Sequence, residues 1–122
     1  MKHIIKDVNP PRRLSIFEYD TLRRILQSNF DGHEDLFRQL EGLRVKVDCE
    51  TCATIEFAVD PSHSKADVKY RVPAEALGSD IDGIRIHFLI HVVDGFLHEL
   101  EVFREDSEPI LKMPEADSLI VF

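Results

Sequence analysis

Apolar positions along the chain change their period once, and the change separates a helical first third from a stranded remainder. Tyr19, Leu22, Ile25 and Leu26 recur at helical spacing, with Asp20, Arg23, Arg24 and Gln27 off the stripe. Just ahead, Ser15-Ile16-Phe17-Glu18 has the spacing of a capping box, so a helix is predicted to begin there. Asp31-Gly32 breaks it, and a shorter helix is predicted from Glu34 to Glu41, burying Leu36, Phe37 and Leu40 and stopping at Gly42. The two helices read as a hairpin over 15–41. Residues 1–11 end in the stiff Asn9-Pro10-Pro11 and read as an extended arm, free or adding an edge strand.

From Leu43 onward the period is two. Leu43, Val45 and Val47 alternate with charged residues, and Ile55, Phe57 and Val59 repeat the pattern. Val68, Tyr70 and Val72 form a third run, which Pro73 confines to an edge or a bulge. The strongest strand pair spans 84–104. Ile84, Ile86, Phe88, Ile90 and Val92 alternate with Arg85, His87, Leu89, His91 and Val93, then turn at Asp94-Gly95 into Phe96 to Arg104. A plain two-residue turn would set Glu99 and Glu101 on the face of Phe88 and Ile90, which is costly in a core. A type I turn followed by a glycine bulge shifts the pairing by one, turns both glutamates outward and brings Phe96, His98, Leu100 and Val102 to the apolar face. Glu105 to Pro109 reads as a polar turn, and Ile110 to Met113 and Leu119 to Phe122 as short apolar pieces that cover the sheet or extend its edge.

The expected fold class is therefore α+β: an N-terminal helical hairpin packed on one face of an antiparallel β-sheet, with its central hairpin at 84–104 and strands through most of 43–122. A chain of 122 residues forms one domain and, with 43% apolar residues, buries a core without a staple.

Charge narrows the partners. Acidic residues outnumber basic ones 23 to 15, for a net charge of −8, which disfavours nucleic acid and anionic membrane and favours a basic protein. No apolar run approaches the roughly 20 residues of a membrane span, and Met1 to Asp7 has no signal-peptide character. Two cysteines without an export signal point to the cytoplasm. An edge strand offers a route to homo-oligomers.

Cys49-Glu50-Thr51-Cys52 is the most pointed chemical motif, because two thiolates at this spacing can hold zinc or cycle as a redox pair. A structural zinc site needs two more ligands, for which distant histidines such as His33 or His63 are candidates; the competing reading is two ordinary thiols in a turn between strands. His87 and His91 share a strand face but lie about 13 Å apart, so they cannot chelate one ion. With Glu99 and Glu101 across the hairpin they form a candidate polar surface, suited to binding or to acid and base work by His91 with Glu99, or simply solvated. Asp80-Ile81-Asp82-Gly83 lacks the later ligands of a calcium loop and reads as a turn. Arg12, Arg13, Arg23 and Arg24 could form a small basic patch or a solvated helix end. Single glycines and the absence of a Gly-x-Ser-x-Gly elbow leave no phosphate-cradling loop and no serine nucleophile motif.

Leu40 to Val45, the cysteine-bearing turn and above all His87 to Asp106 resemble an uncharacterised family of short bacterial single-domain proteins, over about Arg12 to Pro114. The resemblance implies a bacterial single-domain protein and brings no activity or cofactor. The leading expectation is a small acidic protein-binding module without a cofactor, acting on a basic partner as an immunity protein acts on a toxin. A metal-binding or redox protein centred on Cys49 and Cys52, and an enzyme using His91 and Glu99, remain open beside it.

Overall fold

The capping box forms as its spacing predicts: Ser15 Oγ accepts from the Glu18 amide at 3.0 Å, and the Glu18 carboxylate accepts from the Ser15 amide at 2.8 Å. In the computed structural model, which describes residues 3–122, this box opens helix α1 (Ile16–Leu26) and buries Thr21, Leu22, Ile25 and Leu26. Arg12 adds a second anchor, reaching both Glu18 oxygens at 2.9 Å and Asp48 at 3.3 Å. Burial alone would raise the Glu18 carboxyl, but Arg12 and Ser15 hold it below its usual range. Arg24 donates to the Leu119 carbonyl at 3.0 Å, so Arg12 and Arg24 are engaged in the fold rather than forming a basic patch.

The expected helical hairpin on a sheet is not what the chain builds. Helix α2 (His33–Arg38) has only six residues and buries only Leu36, and the architecture is a seven-stranded antiparallel sheet accompanied by two short helices. Apolar spacing suggested continuation to Glu41, yet Gln39 to Leu43 run through tight turns. Gln39 explains the early stop. Its fully buried amide donates to the carbonyls of Ser64 and Gly95, both at 3.0 Å, and accepts from the Leu97 amide at 2.9 Å. Those bonds tie it to the tip of the central hairpin.

The strands are β1 (Ile5–Arg13), β2 (Arg44–Cys49), β3 (Ile55–Ala58), β4 (Ala74–Ser79), β5 (Arg85–Val93), β6 (Phe96–Arg104) and β7 (Ile120–Val121), in the order β1-β2-β3-β6-β5-β4-β7. The arm is thus an edge strand; its first two positions lie outside the described residues. Pro10 and Pro11 fall where the β1–β2 register shifts, between Asp7 and Arg12, so their missing amide donors interrupt no central ladder.

Val68, Tyr70 and Val72 do not form a strand. The third run lies one segment later, in β4, where Ala74, Ala76 and Gly78 face inward. Its small residues hide the alternation, and packing demands them: a Cβ on Gly78 would sit 2.7 Å from Pro114 and 2.9 Å from Leu119.

The central hairpin has the predicted shift of one residue but not at the predicted place. Asp94 and Gly95 both have positive φ, 52° and 84°, which is the primed two-residue turn that matches strand twist. Val93 faces Phe96 and Val92 faces Leu97, then His91 faces Glu99, so His98 is the extra residue of a bulge. Leu97 therefore enters the core in place of Phe96 and His98, while Leu100 and Val102 are buried and Glu99 and Glu101 face out. The inward residues of β3 to β6, among them Phe57, Ile86, Phe88 and Ile90, join the α1 residues, Leu36 and Leu119 in one core.

Asp80 and Arg104 close the far end of the hairpin. The Asp80 carboxylate, with no exposed side-chain surface, accepts from the amides of Ile81, Leu111 and Lys112 and from Arg104 at 3.0 Å. Arg104 also reaches Asp82 at 2.7 Å and Asp106 at 2.9 Å. The turn at 80–83 is as predicted, but Asp80 also binds the tail after β6. Burial would raise its carboxyl; the three amides and Arg104 outweigh that and hold it at about 2.

Two tests follow from this packing. Gly78→Val should cost about 1–3 kcal/mol in urea denaturation, because Pro114 and Leu119 must move. For Asp80, the folded value of about 2 lies below the ordinary 3.8, so its contribution is complete above pH 4 and lost as pH falls through 2. Urea midpoints of the native protein and Asp80→Asn should accordingly differ most above about pH 4 and converge towards pH 2.

Candidate functional site

Alternation in β5 and β6 turns one side of the sheet to the core and leaves the other polar. Pairing aligns Val47, Glu56, Glu99 and His91 as a row across β2, β3, β6 and β5. The bulge adds to this row, because it turns both His98 and Glu99 away from the core. Glu56, His98 and Glu99 consequently bring ligand-type atoms within 4.8 Å of one another, and His98 Nε2 lies 3.5 Å from Glu56.

Glu101 lies one residue pair further along the same face, opposite Leu89. Across strands, His91 Nε2 meets Glu101 at 2.8 Å and His87 Nε2 meets Glu105 at 3.2 Å. His87 also stacks on Phe103, with centroids 4.8 Å apart and planes inclined by 8°. Among the described residues, the ion pairs of Glu56, Glu101 and Glu105 are to histidines, which offset a carboxylate only when protonated.

His91 and Glu99 are directly opposed across the strands, but the carboxylate that the His91 ring contacts is that of Glu101. Arg71 Nε donates to His91 Nδ1 at 3.3 Å. A guanidinium has no acceptor, so Nδ1 must carry the lone pair and Nε2 the proton that goes to Glu101. Both ring nitrogens are therefore occupied, which leaves His91 poorly placed as a general base.

A recess of about 230 Å³ lies beside this row, lined by Val47, Glu56, Glu99, Glu101, Cys49 and Cys52 among others. The two candidate regions read separately from sequence, the cysteine turn and the glutamate face, are thus neighbours. Cys49 and Cys52 are joined as a disulfide across the turn between β2 and β3, with Cα atoms 5.3 Å apart. They are not two free thiols in this structure. Neither His33 nor His63 stands beside them: His63 Nε2 contacts the Glu41 carbonyl at 2.7 Å, and His33 packs near Phe30. The nearby imidazole is His3, which sequence reasoning missed because nothing local links the arm to the turn.

A second, larger cleft of about 550 Å³ also borders Cys52, between the turn and the segment 107–113. No helix among the described residues is long and apolar enough to cross a membrane.

Residues 11–114 match the model of a family described as a domain of unknown function (DUF6984). The span agrees closely with the resemblance read from the sequence. No curated protein and no solved structure matches the chain.

If Arg71 fixes the His91 tautomer, long-range proton–nitrogen spectra at alkaline pH should show His91 protonated on Nε2 alone, and Arg71→Ala should introduce the Nδ1 form. Equal tautomer populations in both proteins would remove the assigned role of Arg71.

Proposed function

The chain belongs to this family of unknown function, and from that premise we propose that it is a binding module whose open sheet face takes a basic segment of a protein partner. The carrying observation is Glu56 directly opposite Glu99, with Glu101 on the same face. Like charges directly opposed across strands destabilise a sheet, and a cationic partner relieves that repulsion. A net charge of −8 adds long-range attraction for the same class of partner. The blocked ring nitrogens of His91 favour this reading over an enzyme built on His91 and Glu99. A bacterial cytoplasmic setting, and a role like that of an immunity protein acting on a toxin, belong to the same reading.

Titration calorimetry with an arginine-rich peptide and a charge-reversed control tests it. The arginine-rich peptide should bind, the control should not, and binding should fade near 1 M salt, where the Debye length is about 3 Å. The triple variant Glu56→Gln, Glu99→Gln and Glu101→Gln should weaken binding by about tenfold or more, or ~1.4 kcal/mol. Unchanged affinity in that variant, or no preference for the basic peptide, overturns the assignment.

A further inference from the structure

The corner formed by the cysteine turn and the start of β1 has an organisation that the acidic sheet face does not use. Cys49 ends β2, Cys52 lies three residues on in the turn, and both sulfurs point to one place, as their bond requires. His3 is the third member. A ring nitrogen of His3 and the two sulfurs all lie within 4.8 Å of one another. Tetrahedral zinc, with bonds of about 2.0–2.3 Å, sets neighbouring ligand atoms about 3.3–3.8 Å apart, so small movements would complete the geometry.

His3 is held there by its neighbours. The Glu50 amide donates to the Ile4 carbonyl at 2.9 Å, the Ile4 amide donates to Thr51 Oγ1 at 3.1 Å, and Ile5 pairs with Cys49 in the ladder. The segment before β1 is therefore fastened on both sides to the turn that carries the sulfurs. Thr51 contributes once more. Its oxygen accepts from Ile4, which leaves the hydroxyl proton free to donate to Cys49 Sγ, 3.7 Å away. A donor on a sulfur is the kind of outer contact that orients a metal-binding thiolate.

We propose that reduction of the Cys49–Cys52 bond converts this corner into a zinc site held by Cys49 Sγ, Cys52 Sγ and His3, with the fourth position open. A dithiol reductant supplies the two electrons. One of its thiolates attacks a protein sulfur, giving a mixed disulfide and releasing the other cysteine as thiolate; its second thiol then closes the reductant's own disulfide and frees the remaining cysteine. Zinc displaces the protons of the two protein thiols. Soft sulfur ligands select zinc over magnesium or calcium, and three protein ligands with one open position match sites where zinc meets water or a ligand. His3 and Cys52 also line the 550 Å³ cleft, which gives that fourth position a way in. Disulfide and metal exclude each other, so the site would be filled only in a reducing compartment. This inference is independent of the basic partner proposed above.

Zinc titration of the full chain, with and without prior reduction and removal of the reductant under argon, tests it. The reduced protein should bind one equivalent and the oxidised protein none at this corner; cobalt in place of zinc should give a thiolate charge-transfer band. Cys49→Ser and Cys52→Ser should each abolish that band, and His3→Ala should weaken zinc by about tenfold or more. The His63→Ala variant should keep full zinc affinity, because His63 stands away from the cysteines, against the Glu41 carbonyl. Failure of the reduced protein to bind zinc, equal binding by the oxidised protein, survival of the band in the serine variants, unchanged affinity in His3→Ala, or loss of zinc in His63→Ala would each overturn the proposal.

Discussion

One extra residue in β6 decides the fate of every side chain in the central hairpin. The two-residue turn at Asp94-Gly95 closes the strands with the right twist, but its unmodified register would direct Glu99 and Glu101 into the core beside Phe88 and Ile90. Two buried carboxylates without partners cost far more than a local break in the ladder. The bulge at His98 resolves the conflict. Before it, Leu97 packs inward; after it, Leu100 and Val102 do, and the glutamates stand on the polar side. The core and the candidate binding face are thus consequences of the same irregularity.

Around that hairpin, the directional bonds come from a few buried polar groups. Apolar burial holds α1, the sheet and Leu119 together without specifying much about position. Gln39 specifies the tip, by bonding to Ser64, Gly95 and Leu97 at once. Asp80 and Arg104 specify the other end, where the tail leaves the sheet. Each of these groups is satisfied on several sides, the condition under which buried polarity fixes one arrangement instead of weakening it.

What the sequence revealed follows from how far apart the interacting residues are. The capping box of α1, the alternation in β2 and β3, and the hairpin at 84–104 are local patterns, and they were legible. Helix α2 was overextended because Leu40 keeps the apolar spacing while the preceding Gln39 is committed to a contact 56 residues away. Strand β4 was missed because alanine and glycine carry little β signal; their size answers to Pro114 and Leu119. At the candidate site, residue types pointed to the cysteines and to the outward glutamates. Their adjacency, the third ligand-type group at His3 and the diversion of His91 to Arg71 and Glu101 all depend on strand order, which no single segment encodes.

The sheet is also two pieces sutured along a narrow join. Strands β1, β2 and β3 form one half and β6, β5, β4 and β7 the other, and β3 meets β6 through Ile55 with Leu100 and Glu56 with Glu99, aided by Thr54 exchanging bonds with Val102. This contact spans a long stretch of chain, so its closure carries a larger entropic cost than that of the local hairpins. It also sets two negative charges face to face. At the join, backbone pairing and side-chain charge therefore oppose one another: two residue pairs and the Thr54 bonds hold the halves together against the repulsion of Glu56 and Glu99.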